Sequence, residues 1–184
     1  MRGGHDGGPL SGAVAVALSL VLAGCAPVPP AASPGTPAPT VAFALADGTT
    51  LASETTRGDV VVLAFFTKRC AHSGSMLRAV GAIRATDPSA SGLTMVAINE
   101  GDEPADVAAL VDKLGLRMRI AFDHGGAIAT QLGLPTMPSV IVIDRDGVVR
   151  HVHGGYHGDE EGAAIAAEVA ALLSAPRPSS APAP

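Results

Sequence analysis

D-V-V-V-L-A-F-F-T-K-R-C-A-H-S-G-S-M-L-R-A-V-G-A-I, residues 59–83, changes its hydrophobic period halfway. Val60 to Phe66 are seven consecutive apolar residues, mostly β-branched or aromatic. Such a run suits a strand covered on both faces. Met76, Leu77, Val80 and Ile83 then recur at helical spacing. The polar residues between them predict a turn, with Cys70 at the entry of the helix. A helix start presents free backbone N–H groups and the positive end of the helix dipole. Both favour the thiolate, the reactive form of cysteine. Lys68 and Arg69 add positive charge beside it.

The pattern continues downstream. Leu93–Asn99 is a second apolar run and predicts a parallel strand. Pro104 opens a helix whose Val107, Leu110, Val111 and Leu114 form one stripe, and Gly115 closes it. A short strand over Arg119–Phe122 and a short helix over Ala127–Leu132 follow. Ser139–Asp144 predicts a strand, Asp146-Gly147 a hairpin turn, and Val148–His153 the returning strand. Glu160–Leu173 carries Ile165, Val169, Leu172 and Leu173 on one face of a last helix. Upstream, Val41–Leu45, Asp47-Gly48 and Thr49–Leu51 read as a hairpin. Strands alternating with helices, then a late hairpin and helix, predict an α/β domain over residues 41–174: a central mixed sheet flanked by helices, with an N-terminal β-hairpin.

The ends differ in kind. Residues 1–25 have one arginine at the start, an apolar run over Leu10–Ala23 and the ending Leu22-Ala23-Gly24-Cys25. The run is short for a membrane span and suits a secretion signal. The ending is that of a bacterial lipobox, which makes Cys25 the expected lipidation site. Acyl chains there would anchor the protein to the extracytoplasmic side of a bacterial membrane, the periplasmic side if there are two. Residues 26–40, rich in Pro and Ala, read as an extended tether. Residues 175–184 have the same composition and read as a disordered tail. The net charge of −5 argues against a nucleic-acid partner.

Two motifs carry a family resemblance. The stretch Phe65-Phe66-Thr67-Lys68-Arg69-Cys70-Ala71-His72-Ser73 resembles the active-site segment of thioredoxin-like proteins, especially the membrane-anchored TlpA/ResA type. In that family a hydrophobic strand leads to F-W-A-x-W-C-x-x-C. Gly133-Leu134-Pro135-Thr136-Met137-Pro138, running into Ser139–Gly147, is similar to the family's cis-proline loop and the strand after it. The resemblance implies a thioredoxin-like fold over nearly all of Val41–Leu173. It implies Cys70 as nucleophile, with Phe66 beneath it. Pro138 would be the cis-proline and, with Met137, would border the substrate groove beside Arg69. Three positions depart from the family. Ser73 stands where the resolving cysteine belongs, Arg69 replaces a Trp, and Ala64 replaces a buried acid.

A dithiol site resolves its own mixed disulfide with the second thiol. A serine hydroxyl cannot perform that exchange. With Cys25 lipidated, Cys70 is the one thiol left. The expected activity is monothiol exchange with a protein or small-molecule thiol or disulfide, resolved by an external thiol reductant. His72 would tune the thiolate and Ser73 would hydrogen-bond it. Thr67-Lys68-Arg69-Cys70 also fits the T-x-x-C of peroxiredoxins, with Arg69, Arg117 or Arg119 as the arginine such chemistry needs. A third reading is a binding module that has lost turnover. No cofactor or metal is expected. His151 and His153, with His157 nearby, read as parts of a structural edge strand rather than as ligands. Met76, Met95 and Met118 read as core fillers.

Overall fold

A computed structural model describes residues 31–86 and 92–176. In chain order the elements are β1 (Ala42–Leu45), β2 (Thr50–Ala52), a 3-10 turn (Ser53–Thr56), β3 (Val60–Phe66), α1 (Ser73–Thr86), β4 (Leu93–Asn99), α2 (Pro104–Leu114), β5 (Arg119–Phe122), α3 (Ala127–Gln131), β6 (Ser139–Ile143), β7 (Val149–Gly154) and α4 (Asp159–Ser174). The seven strands form one sheet in the order β2-β1-β5-β4-β3-β6-β7. β3, β4 and β5 are parallel to one another, and β6 and β7 run antiparallel. This is the expected mixed sheet flanked by helices, with β1 and β2 as its N-terminal hairpin.

β3 lies at the centre, and all seven of its residues are buried. Its alternation divides the core in two. Val60, Val62, Ala64 and Phe66 pack with Met76, Leu77 and Val80 of α1, Val107 of α2, and Ile165 and Val169 of α4. Val61, Leu63 and Phe65 face the other way, toward Phe43, Leu51, Ala129 and Leu132. Met76 and Met95 are buried core residues, and Met118 packs against the core from its edge.

Helix boundaries follow the local chemistry. α2 starts with Pro104 and ends at Gly115, whose φ of 61° is the left-handed cap conformation. α3 has no side-chain cap of its own at Gly126, but Asp123 reaches past it and accepts bonds from the N–H groups of Ile128 and Ala129 at 3.0 and 2.9 Å. Arg145 is buried and closes α4 from outside. Its guanidinium donates to the carbonyls of Leu172, Leu173 and Ala175 at 3.0, 3.0 and 2.6 Å. Asp144 organises the β6–β7 turn by accepting from the N–H groups of Asp146 and Val148, and it pairs with Arg150 at 2.5 Å.

The tether reading needs correction where residues 31–40 are described. Ala32 is buried, and its N–H bonds Leu132 O at 2.8 Å. Gly35 N donates to Val149 O, Val149 N to Thr36 O and Ala38 N to Gly147 O, at 2.8 to 2.9 Å. The folded unit therefore begins before Val41. The physical reason is the second sheet face: α3 has five residues and leaves apolar surface that this segment covers. A small cavity of about 40 Å³ remains beneath it, lined by residues such as Val41, Leu63 and Ile141. Cys25 and the apolar run before it lie outside the described residues, as does the tail beyond 176.

β7 is an edge strand, as expected for His151 and His153. Their rings stack 6.3 Å apart and meet α4. His153 sits between Glu161 and Glu168 at 3.5 and 2.8 Å, and His151 lies 3.1 Å from Glu168.

Candidate active site

The buried strand β3 delivers the chain to the carboxyl edge of the sheet and stops at Phe66. Two tight turns follow, closed by Cys70 N to Thr67 O at 3.2 Å and Ser73 N to Cys70 O at 3.1 Å. Cys70 is half-buried in this turn. It lies three residues ahead of α1 and not within it, which shifts the expected helix entry to Ser73. The His72 carbonyl accepts the N–H of Met76 at 3.0 Å, so His72 marks the helix boundary through its backbone. Its ring is exposed and has no hydrogen-bond partner among the described residues, and the structure does not bring it to the sulfur.

Across from the turn, the Met137–Pro138 bond is cis, and Pro138 is buried. The Cys70 thiol donates to the Met137 carbonyl at 3.5 Å. It is thus the backbone of Met137 that meets the sulfur, while its side chain packs on the second core face. Ser139 Oγ donates to Thr136 O at 2.6 Å and Gly155 N donates to Pro138 O at 2.9 Å, fixing the loop from both sides. Ser73 is 1% exposed, and its hydroxyl has no hydrogen-bond partner among the described residues. Phe66 is fully buried beneath the turn. Arg69 is exposed, and Ala64 is buried within β3.

One supporting group was not foreseen. Asn99 ends β4 and is fully buried. Its amide donates to Asp102 at 2.8 Å and to Phe66 O at 3.4 Å, while its own oxygen accepts Asp102 N at 3.0 Å. Asp102 then accepts Lys68 N at 2.6 Å, and the Lys68 ammonium pairs with Asp106 at 2.7 Å. The loop after β4 so holds the loop that carries Cys70. Burial pushes the Asp102 carboxyl up. Bonds from Asn99, the Lys68 backbone and Thr67, together with the charge of Arg69, outweigh that and hold it below the usual carboxylate range. The sequence signal was a polar residue closing an apolar strand beside the strand that bears the site.

The strand register separates the candidate arginines. Phe66 pairs with Asn99 and Asn99 with Phe122, all at the edge where Cys70 lies. Arg119 pairs with Val96, three positions back. At about 3.3 Å per residue that is about 10 Å toward the opposite end of the sheet. Arg117 precedes it and lies farther still. Arg69 alone of the three remains beside the thiol.

A half-buried thiol facing a cis-proline loop, at the carboxyl edge of a mixed sheet, defines a protein of the thioredoxin-like fold. The chain belongs to the AhpC/TSA family, whose model matches residues 34–152, more than half of its 184 residues. Solved structures share the fold. A candidate protein disulfide isomerase from Bacteroides thetaiotaomicron has a TM-score of 0.71 at 20% identity, over 78% of this chain and 91% of that one. A candidate thiol:disulfide interchange protein DsbE from Chlorobium tepidum has a TM-score of 0.70 at 24% identity, over 77% and 99%. A secreted Mycobacterium tuberculosis disulfide oxidoreductase has a TM-score of 0.63 at 20% identity, over 72% and 96%. No curated protein is similar enough to match.

Proposed function

We propose that the protein performs monothiol thiol-disulfide exchange through Cys70, on the outer side of a bacterial membrane to which Cys25 anchors it. The observation that carries the reading is the pairing of Cys70 with the Met137 carbonyl ahead of cis-Pro138, with a serine and not a cysteine one turn on. The reaction balances without a second protein thiol. The Cys70 thiolate attacks R–S–S–R′, forms Cys70–S–S–R and releases R′S⁻. An external thiolate R″S⁻ then attacks that mixed disulfide, restores Cys70 and leaves as R–S–S–R″. Ser73 keeps the intermediate from resolving internally. His72 acts at most through the field of its ring, and Phe66 holds the floor. The extracytoplasmic placement is supported by the signal-like residues 1–25 and by similarity to a secreted disulfide oxidoreductase.

The test uses the full chain with Cys25→Ser, so that Cys70 is the single thiol. Incubation with a disulfide peptide should give a one-to-one covalent adduct by mass spectrometry, released only by added thiol. Cys70→Ser should give none. The family match keeps peroxide chemistry as the rival reading. Faster loss of the Cys70 thiol to hydrogen peroxide than to the disulfide, at equal concentration, would replace the proposal with that one. Slow reaction with both would leave a binding module.

A further inference from the structure

Several features meet around the turn that carries Cys70. Arg69 is exposed, and among the described residues it takes part in no ion pair, whereas neighbouring Lys68 is held by Asp106 at 2.7 Å. The Arg69 guanidinium reaches over Gly101, where a Cβ would stand 3.9 Å from Nη2. α1 has fourteen residues and no acidic residue in its first turn. The N–H groups of Gly74 and Ser75 in that turn have no hydrogen-bond partner among the described residues. The Ser73 hydroxyl in the same turn is shut from water and unpartnered among the described residues.

Asp102 lies within electrostatic reach of Arg69, but among the described residues no carboxylate forms an ion pair with the Arg69 guanidinium. Asp102 is occupied by Lys68 N and Asn99, and Asp106 by the Lys68 ammonium. Glu100 is turned toward α3, its Oε1 lying 2.8 Å from where a Cβ on Gly126 would be. Glu103, exposed at the start of α2, has no ion pair among the described residues.

We propose that Arg69, with the start of α1, makes the site select disulfides that carry negative charge beside the reacting sulfur. The substrate class is then an acidic peptide or a small carboxylate-bearing disulfide. This rests on the monothiol reading above and deepens it. A guanidinium is always charged and forks onto a carboxylate in two bonds. The free N–H groups and the helix dipole at the start of α1, three residues past Cys70, favour negative charge as well. Such an arrangement acts mainly on the rate of encounter and on the choice of partner.

The experiment uses two peptides identical except for Glu or Lys on both sides of one cysteine. Each cysteine is joined by a disulfide to 2-thiopyridine. Attack by the Cys70 thiolate on the peptide sulfur forms Cys70–S–S–peptide and expels pyridine-2-thione, whose absorbance gives the rate. The protein is the full chain with Cys25→Ser, in a neutral detergent. A charge pair about 5 Å apart in water is worth about fourfold in rate. The Glu peptide should therefore react at least about fivefold faster than the Lys peptide, and salt should shrink the preference. Arg69→Gln should bring the ratio close to one and Arg69→Glu should invert it. Arg117→Gln makes the same charge change at the far end of the sheet and should leave the ratio standing. Equal rates in the wild type, or a ratio that Arg69→Gln does not move, would overturn the selection while leaving thiol exchange intact. No thione from either peptide would overturn the monothiol reading, and this inference with it.

Discussion

Ser73 begins α1 one helical turn beyond Cys70, buried and with no partner for its hydroxyl among the described residues. Replacing that hydroxyl by a thiol should change the kinetic order of the second step. In Ser73→Cys the release of a bound peptide becomes intramolecular. It should stop depending on added thiol and run about tenfold or more faster at low thiol, given the effective molarity of a well-placed group. In the wild type the release rate should rise in proportion to external thiol. Stopped-flow release of a fluorescent peptide separates the two, and a thiol-dependent Ser73→Cys would mean that position 73 does not reach the sulfur. Asp102 makes a second prediction, with a definite sign. Its folded-state pKa is lowered, so its contribution is complete above the unfolded value of about 3.9. The contribution is lost as pH falls through the folded value. Asp102→Asn should cost about 1 kcal/mol at neutral pH, the low end for a bond to a charged group because Asp102 is only half-buried. Urea titrations of both proteins should begin to converge as pH falls below the unfolded value and should meet once it is below the folded one. A gap that persists there would assign the effect to shape and not to charge.

α1 and α4 pack against each other, and Gly162 of α4 lies at their contact. A Cβ there would stand 2.7 Å from the Tyr156 hydroxyl and 2.8 Å from Ala79 Cβ. Ala is the better helix former by about 1 kcal/mol. Overpacking costs about 1 to 3 kcal/mol, and although both obstructing groups border a pocket between the helices, Ala79 Cβ is fixed to the α1 backbone and can yield only if the helix moves. The clash should win, so Gly162→Ala should destabilise by about 1 kcal/mol in urea unfolding. Net stabilisation would show that the two helices can part freely. Arg145 makes the complementary case at the other end of α4, since three carbonyls depend on one buried guanidinium. Arg145→Ala should cost about 2 to 3 kcal/mol by the same measurement, as expected for charged hydrogen bonds removed from a buried site. These contacts also show where reading the sequence stops. The period of Met76, Leu77, Val80 and Ile83 announced α1, and the apolar run announced β3. Nothing local to Arg145 or Asn99 shows that each serves an element tens of residues away, or the loop beside its own. Cys70 and Pro138 were legible because turn chemistry and motif spacing are local. The distance of Arg117 and Arg119 from the thiol was not, because it depends on the register of β5 against β4.

The two faces of the sheet are covered unequally, and this makes the boundary of the folded unit a physical question. One face carries α1, α2 and α4. Among the described residues, the other has α3 and the segment before β1, where Ala32, Ala38 and Val41 pack on the strands. A Pro/Ala-rich composition predicts an extended chain, and this segment has no helix and turns once, at Ser33–Thr36. What composition cannot show is that a chain without helix or strand still covers a surface: the Pro37 bridge to Val148 and the bonds of Ala32, Gly35 and Ala38 hold it in place. A chain starting at Val41 would lose the four backbone hydrogen bonds that join residues 32–38 to Leu132, Gly147 and Val149. It would also open to water the cavity lined by Val41, Leu63 and Ile141. At about 0.5 to 1.5 kcal/mol for each bond, with the apolar exposure added, the loss should reach several kcal/mol. A chain starting at Ala31 keeps all of these contacts and should be the more stable of the two by that amount. Urea unfolding of the two truncations beside the full chain measures both claims. Equal midpoints for the starts at Ala31 and Val41 would return residues 31–40 to the role of a tether, and the second face of the sheet would then need another cover.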